Sequence, residues 1–99
     1  MSASLKGIRV LEMAQIMAGP TCGLLLADLG AEVIKIEKTP SGDDTRNFLP
    51  PEINGESAAF MMMNRNKKGI ALNLKDKDGI EIFKTMVKNS DVVLSLIHI

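Results

Sequence analysis

Three segments of the chain carry residues that could bind an anion. Backbone N–H groups near Gly19 and Thr21 stand at the start of a predicted helix, where the positive end of the helix dipole favours a phosphate or a carboxylate. Lys38 and Arg46 lie on a predicted loop, and residues 64–68 (NRNKK) bring three cations and two amides together before a predicted strand. These residue types indicate a phosphate-bearing or carboxylate ligand, and by themselves they name no reaction.

Ordinary surface structure is the alternative explanation for each segment. Any turn from a strand to a helix offers the same amides, and MAGPTCG (residues 17–23) is not the GxGxxG dinucleotide fingerprint. Loop cations are commonly just solvated. Glu32 and Glu37 lack the glycine motif that accompanies a ribose contact, so we expect none. The methionines at 61–63 could line a pocket, but such a run more often fills a core.

Neither metal nor thiol catalysis is expected. His98 has no second His, Cys or carboxylate at ligand spacing, and Cys22 has no neighbouring base.

The elements that must position these residues follow from the hydrophobic pattern. Residues 7–13 predict a strand, residues 18–29 a helix that contains Pro20 in its first turn and ends at Gly30, and residues 31–37 a buried strand. This is a βαβ unit with parallel strands. The remaining predictions are a loop without regular structure at 39–55, a short helix at 56–64, a strand at 69–74, an amphipathic helix at 75–88 and a strand from 91.

The sum is an α/β fold of the Rossmann-like, doubly wound type with a mostly parallel sheet. Such sheets bind ligands beyond the carboxyl ends of their strands, so we expect a site among residues 14–21, 38–46 and 73–75.

Composition limits the class of protein. Ninety-nine residues suit one domain or part of one, and twelve basic and twelve acidic residues leave no net field for nucleic acid or an anionic membrane. The sequence has neither a signal peptide nor a run of about twenty apolar residues that could cross a membrane. The single Cys22 excludes an intrachain disulfide and favours a reducing compartment, so the cytoplasm is the expected location.

Several blocks of sequence together resemble the opening of the CaiB/BaiF family, the class III CoA-transferases (formyl-CoA transferase-like) and their racemase relatives. The blocks are LKGIRVLE (5–12), AGP (18–20), LADLGAEVIKIE (26–37), GDDTR (42–46), GES (55–57), and NRNKK (64–68) through LNLK (72–75).

The resemblance implies that the full-length protein moves CoA from an acyl-CoA to a free carboxylic acid through an acyl-aspartyl anhydride. It implies no metal and no prosthetic group, with the coenzyme A thioester as substrate, and an interlocked homodimer. The attacking aspartate lies further along the family's sequence, so no catalytic residue is assigned here. By position in the family, the residues expected to contact CoA are Gln15, Ile16, Met17, Ala18, Lys38, Leu72, Asn73, Leu74 and Lys75.

The resemblance also divides the chain. Residues 1–94 are expected to be the N-terminal CoA-binding portion of a CoA-transferase family III domain, and residues 95–99 a truncated or non-native end. The isolated fragment is expected to be inactive. Three alternatives stay open: an α-methylacyl-CoA racemase, a nucleotide-binding module without catalysis, and a fragment without function.

Overall fold

A computed structural model describes residues 3–95. Its elements in chain order are β1 (Arg9–Glu12), α1 (Ala18–Asp28), β2 (Glu32–Lys38), a 3₁₀ turn (Asp44–Asn47), β3 (Glu52–Ile53), β4 (Glu56–Ser57), α2 (Ala58–Met63), β5 (Lys68–Leu72), α3 (Lys77–Lys88) and β6 (Val92–Leu94). Most of the segment 95–99 lies outside the described residues, so its predicted non-native origin stays a prediction.

The main sheet has four parallel strands in the order β5-β2-β1-β6. Strand β2 pairs with one side of β1, and β5 pairs with the outer side of β2. After α3, the chain crosses to the other side of β1, where β6 pairs. The order reverses between β1 and β6, which is the topological switch point of a doubly wound fold. The predicted fold class is confirmed.

Apolar residues cover both faces of this sheet, because neighbouring residues of a strand point to opposite sides. Val10 and Val33 form one core with Ala27 and Ala31, at the end of α1 and just after it. On the other face the core is formed by Leu11, Ile36 and Leu72, with Phe83 and Met86 of α3 packed against it.

Helix α1 ends as the sequence predicts, at a glycine with a left-handed backbone. Gly30 has a φ of +105°, which costs a glycine no steric strain. Its N–H donates to Ala27 O at 3.0 Å, and the N–H of Ala31 donates to Leu26 O at 3.1 Å. This pair of bonds is the Schellman motif. The other predicted strands and α3 are confirmed, with ends shifted by one or two residues.

The prediction that residues 39–55 contain no regular structure is wrong. The 3₁₀ turn begins after Asp43, whose side chain accepts from Thr45 N, and β3 pairs with β4 as a hairpin. Asn54 and Gly55 join the two strands with φ values of +52° and +83°. Both are left-handed, as a type I′ turn requires, and Asn-Gly is its preferred sequence.

Helix α2 begins at Ala58 rather than at residue 56, because residues 56 and 57 belong to the hairpin. Ser57 caps the helix by accepting from Phe60 N at 3.2 Å. Met61 and Met62 are exposed by 45% and 60%, so the prediction that they fill a core is wrong. None of the helices in residues 3–95 combines the length and the apolar character needed to cross a membrane.

Candidate functional site

The carboxyl ends of β1, β2 and β5 surround a cavity of about 290 Å³. These strands are parallel neighbours, so the segments that follow them meet at one edge of the sheet. Each of the three segments predicted to carry a site, 14–21, 38–46 and 73–75, contributes to the lining. The lining residues are Met13, Ala14, Gln15, Lys35, Ile36, Glu37, Lys38, Thr39, Asp43, Leu72, Asn73, Leu74 and Lys75.

The structure brings together six of the nine residues predicted to contact CoA. These are Gln15, Lys38, Leu72, Asn73, Leu74 and Lys75. Ile16 and Met17 instead lie in the β1–α1 turn (residues 13–17) and Ala18 begins α1, and none of the three lines this cavity. Ile16 and Met17 are exposed by 40% and 64%. Contact of all nine residues with CoA stays a prediction.

Two lysines at the cavity are accessible to an anion. Lys38 Nζ lies 2.9 Å from Asp44 Oδ1, and about half of each side chain is exposed, so water screens this pair. Lys75 is exposed and has no ion-pair partner among residues 3–95. Three lysines therefore line the cavity: Lys75 is available, Lys38 is paired with Asp44 at the surface, and Lys35 is buried in ion pairs with Glu12 and Asp43.

The segment after β5 has a fixed local shape. Asn73 Oδ1 accepts from Lys75 N at 3.0 Å, which turns the chain towards α3. Gly79 of α3 lies against the carbonyl of Asn73, where a Cβ would overlap the oxygen. Leu72 is only 7% exposed and also belongs to the core formed with Leu11.

The anion site that the sequence left open at the start of α1 is not supported by its amides. Thr21 N–H already donates to Met17 O at 2.8 Å, and Gly19 is buried. Met17, at the N-cap position, makes no capping hydrogen bond through its side chain.

The cations at residues 64–68 are neutralised within the fold, because each of them pairs with an acid of this chain. Arg65 donates to Asp28 at 2.8 Å, Lys68 to Glu32 at 2.6 Å, and Lys67 lies 2.6 Å from Glu12 Oε1. Asn66 also donates to Asp28. The hydrogen bond from Arg65 lowers the pKa of Asp28, and that from Lys68 lowers the pKa of Glu32.

Arg46 is likewise held within the fold, whereas the sequence favoured a solvated loop cation and left a polyanion contact open. Its Nε and a terminal nitrogen donate to the two oxygens of Glu37 at 2.7 and 2.8 Å, and its guanidinium lies 3.9 Å from the ring centre of Phe60. The hydrogen bond from Arg46 lowers the pKa of Glu37. Glu37 Oε1 also accepts from Asp43 N, so this pair anchors the loop after β2.

The sequence reading missed a set of four charged side chains buried beside the cavity, which we term the buried ionic cluster: Glu12, Lys35, Asp43 and Lys67. Lys35 Nζ lies 2.9 Å from Glu12 Oε2 and 2.8 Å from Asp43 Oδ2. Each side chain is at most 3% exposed. Two acids and two lysines balance in charge, as burial of ions demands.

Burial and pairing act on these groups in opposite directions. Burial alone would raise the pKa of Asp43, but the bonds from Lys35 and Thr45 outweigh it and the pKa is lowered. Burial lowers the pKa of Lys67 more than its pairing with Glu12 raises it. The available signal in the sequence was Lys35 between Ile34 and Ile36, and Glu12 directly after Val10 and Leu11. Among residues 3–95, no three His, Cys, Asp or Glu side chains are grouped so as to hold a metal ion.

The sheet order places the chain among the doubly wound α/β proteins, a class in which ligands commonly bind at the carboxyl edge of the sheet. Within that class the chain belongs to CoA-transferase family III, which residues 5–97 match. The resemblance predicted from the sequence is confirmed.

Individual relatives agree with this membership. Succinyl-CoA:glutarate CoA-transferase of Mus musculus is 49% identical over 88 residues, which cover 89% of this chain and 20% of the relative. Formyl-CoA:oxalate CoA-transferase of Afipia carboxidovorans is 40% identical, over 95% of this chain and 22% of the relative. The crystal structure of a CaiB/BaiF family protein from Brucella suis is 41% identical, with a TM-score of 0.86 over 94% of this chain and 25% of that one. The chain thus spans about a fifth of the length of these curated relatives.

Proposed function

We propose that this chain is the coenzyme-binding N-terminal part of an acyl-CoA:carboxylate CoA-transferase, and that its cavity holds part of the coenzyme. The names of the relatives support transfer between an acyl-CoA and a small organic acid. By analogy with these relatives, we propose that the substrates are an acyl-CoA and a carboxylic acid, and that the CoA thioester is the only coenzyme.

The observation that carries the proposal is the pairing of accessible cations with an apolar wall. Lys75 and Lys38 line the cavity beside Leu72, Leu74 and Ile36. CoA carries phosphates beside an adenine ring whose flat faces can pack against apolar side chains, and ammonium groups bind phosphates as point charges. We therefore place the phosphates near Lys75 and Lys38, and the adenine near the leucines.

The proposed reaction needs a carboxylate nucleophile from the whole protein. Its oxygen attacks the thioester carbonyl carbon and the carbon–sulfur bond breaks. CoA departs as the thiolate, and an acyl-aspartyl anhydride remains on the protein. The thiolate then attacks the aspartyl carbonyl and releases the donor acid, and the acceptor acid takes CoA over in the reverse sequence of steps.

We assign this role to none of the chain's own aspartates. Asp28, Asp43 and Asp44 are held by Arg65, Lys35 and Lys38 respectively. Asp91 accepts from Arg9 N at 2.9 Å, and neither Asp76 nor Asp78 lines the cavity.

The racemase alternative differs in the bond that breaks. A racemase exchanges the proton on the carbon next to the thioester, whereas a transferase exchanges the acid bound to CoA. Incubation of the full-length enzyme with acyl-CoA in D₂O, with and without an acceptor acid, separates the two. Deuterium at that carbon without transfer would overturn our proposal, and the relatives' names favour transfer.

We further propose an interlocked homodimer in the cytoplasm for the whole protein. The family resemblance supports the dimer, and exposed apolar side chains such as Ile82, Val92 and Val93 offer surface for further contacts. The exposed free thiol of Cys22 fits a reducing compartment. Light scattering of the full-length protein should give twice the chain mass, and a monomer would contradict this.

Lys75 supplies the direct test, with Lys77 as its matched control. Lys77 begins α3 two positions away, is also exposed, and does not line the cavity. We expect Lys75→Ala to raise KM for acyl-CoA of the full-length enzyme about fivefold with a smaller change in kcat, because an exposed charge contact contributes about 1 kcal/mol. Lys77→Ala should leave KM unchanged. Equal effects of the two substitutions, or no effect of Lys75→Ala, would refute the placement of the phosphates.

The 99-residue chain can be tested for binding by itself. Calorimetric titration with CoA distinguishes a module, which binds at micromolar concentration, from a fragment that needs the rest of the protein. We expect weak or no binding by the isolated chain. Micromolar binding would contradict this expectation, and no binding at millimolar CoA would refute an autonomous site.

A further inference from the structure

The β1–α1 turn contains a residue in an unfavourable backbone conformation. Ile16 has a φ of +72°, in the left-handed region that a β-branched side chain rarely adopts. Such a conformation persists only where the surrounding structure enforces it. Ile16 is itself 40% exposed, so packing of its own side chain is a weak constraint.

Three successive residues of this turn are instead held by polar contacts from β2 and the loop after it. Ala14 O accepts from Lys35 Nζ at 3.1 Å, and Gln15 Oε1 accepts from Asp44 N at 3.1 Å. Ile16 N donates to Asp43 Oδ1 at 3.2 Å. The turn is therefore fixed on both sides of Gln15, which lines the cavity together with Met13 and Ala14.

Asp43 and Lys35 act on the turn as one unit. Lys35 Nζ lies 2.8 Å from Asp43 Oδ2, so the cation that holds Ala14 O also orients the carboxylate that holds Ile16 N. Thr45 fixes the same carboxylate, with its N and Oγ1 at 2.9 and 2.7 Å from Asp43 Oδ1. Both charged side chains are almost fully buried, so water screens the contact little.

We propose that Asp43, oriented by Lys35, is a positioning residue that holds the β1–α1 turn in its left-handed conformation and so preorganises that wall of the CoA cavity. The link to CoA rests on the proposed function, whereas the control of Ile16 does not. A ligand that meets a preformed wall avoids the entropy loss of ordering it. Loss of the Asp43 carboxylate should therefore weaken CoA binding through the turn.

The substitution Asp43→Asn tests this, because it keeps the shape of the side chain and removes its charge. In ¹⁵N-labelled chain, we expect the Ile16 amide resonance to move and its hydrogen exchange to accelerate at least about tenfold, since hydrogen bonds to charged groups are the stronger ones. Where the protein binds CoA, its Kd should rise by a similar factor. An unmoved Ile16 amide, or an unchanged Kd beside a moved amide, would overturn the proposal.

Lys67→Met is the control for general destabilisation. It removes a cation from the other end of the buried ionic cluster, where Lys67 pairs with Glu12 and contacts neither Asp43 nor Ile16. It should lower the melting temperature while leaving the Ile16 amide and the CoA Kd of folded protein in place. If Lys67→Met changes the Ile16 amide resonance and its hydrogen exchange as much as Asp43→Asn does, Asp43 has only a general structural role and the proposal is overturned.

The wild-type chain gives a measurement that does not depend on the folding of any variant. Ile16 N–H should exchange at least about tenfold more slowly than its intrinsic rate, because Asp43 is its acceptor. Exchange at the intrinsic rate would refute the contact. A wild-type chain that binds no CoA but shows this protection would refute the autonomous site and retain the positioning role.

Discussion

Replacing Gly23 by alanine should destabilise the fold although it improves the helix. Gly23 lies within α1, where alanine is favoured over glycine by about 1 kcal/mol. Because Gly23 has no Cβ, however, the side chain of Glu12 can occupy the space beside it. A Cβ at position 23 would overlap Glu12 Oε1 and approach its carboxyl carbon to 3.0 Å.

Glu12 cannot move aside without breaking a buried ion pair. It is fully buried, and its two oxygens lie 2.6 Å from Lys67 Nζ and 2.9 Å from Lys35 Nζ. Overpacking a core costs about 1–3 kcal/mol, and breaking a buried pair costs about 3–5 kcal/mol. With partial relaxation and the helix gain subtracted, we expect Gly23→Ala to lower the free energy of unfolding by about 2–4 kcal/mol.

Urea unfolding followed by circular dichroism measures this difference, and Gly69→Ala is the matched control. Gly69 lies in β5, and no atom outside its chain neighbours approaches within 4 Å of the position that its Cβ would take. Its substitution should change the stability by less than about 0.5 kcal/mol. If Gly23→Ala is no more destabilising than Gly69→Ala, the close contact between α1 and Glu12 is wrong.

Two further predictions concern the loop after β2. Arg46→Lys should lower the free energy of unfolding by about 1 kcal/mol, because lysine replaces neither the paired bonds to Glu37 nor the stacking on Phe60. Urea unfolding measures this loss, with Arg65→Lys at an exposed position as the control. Equal effects of the two substitutions would contradict the prediction. The hydrogen bond from Arg46 lowers the pKa of Glu37. Burial would raise the pKa of Asp43, but its bonds to Lys35 and Thr45 outweigh burial and lower it. The contribution of both carboxylates to stability is therefore complete above the unfolded values of roughly 4 and is lost as the pH falls through the lower folded values. Urea midpoints should be level from about pH 7 to 5 and fall below about pH 4.5, and midpoints that rise on acidification would refute the assignment.

The elements that could be predicted from the sequence are those whose pattern is local. Helix α3 shows its apolar stripe within twelve residues, and Gly30 marks the end of α1. The place of the cavity followed from the rule for parallel sheets. The Asn54–Gly55 turn was also readable, since Asn-Gly is a strong hairpin signal, but the polar composition around it concealed two very short strands.

The interactions that could not be predicted join side chains far apart in the chain. Lys35 meets Glu12 across 23 positions, and Asp43 meets Ile16 across 27. No periodicity marks such pairs, because only the packed sheet brings their atoms together. For the same reason residues 64–68 read as a free cationic patch, although Asp28, Glu32 and Glu12 neutralise it in the fold.

The strand order β5-β2-β1-β6 also sets a sequence of events during synthesis. As the chain emerges from the ribosome, β2 and β5 become available to one side of β1 long before β6 reaches the other. Until then β1 has one edge with unpaired backbone groups. This edge lies in the middle of the future core, because the side chains of Val10 and Leu11 on the two faces of β1 are buried in the folded protein. An unpaired apolar edge invites association with other nascent chains. The pairing of Val92 with Val10 closes this edge of β1.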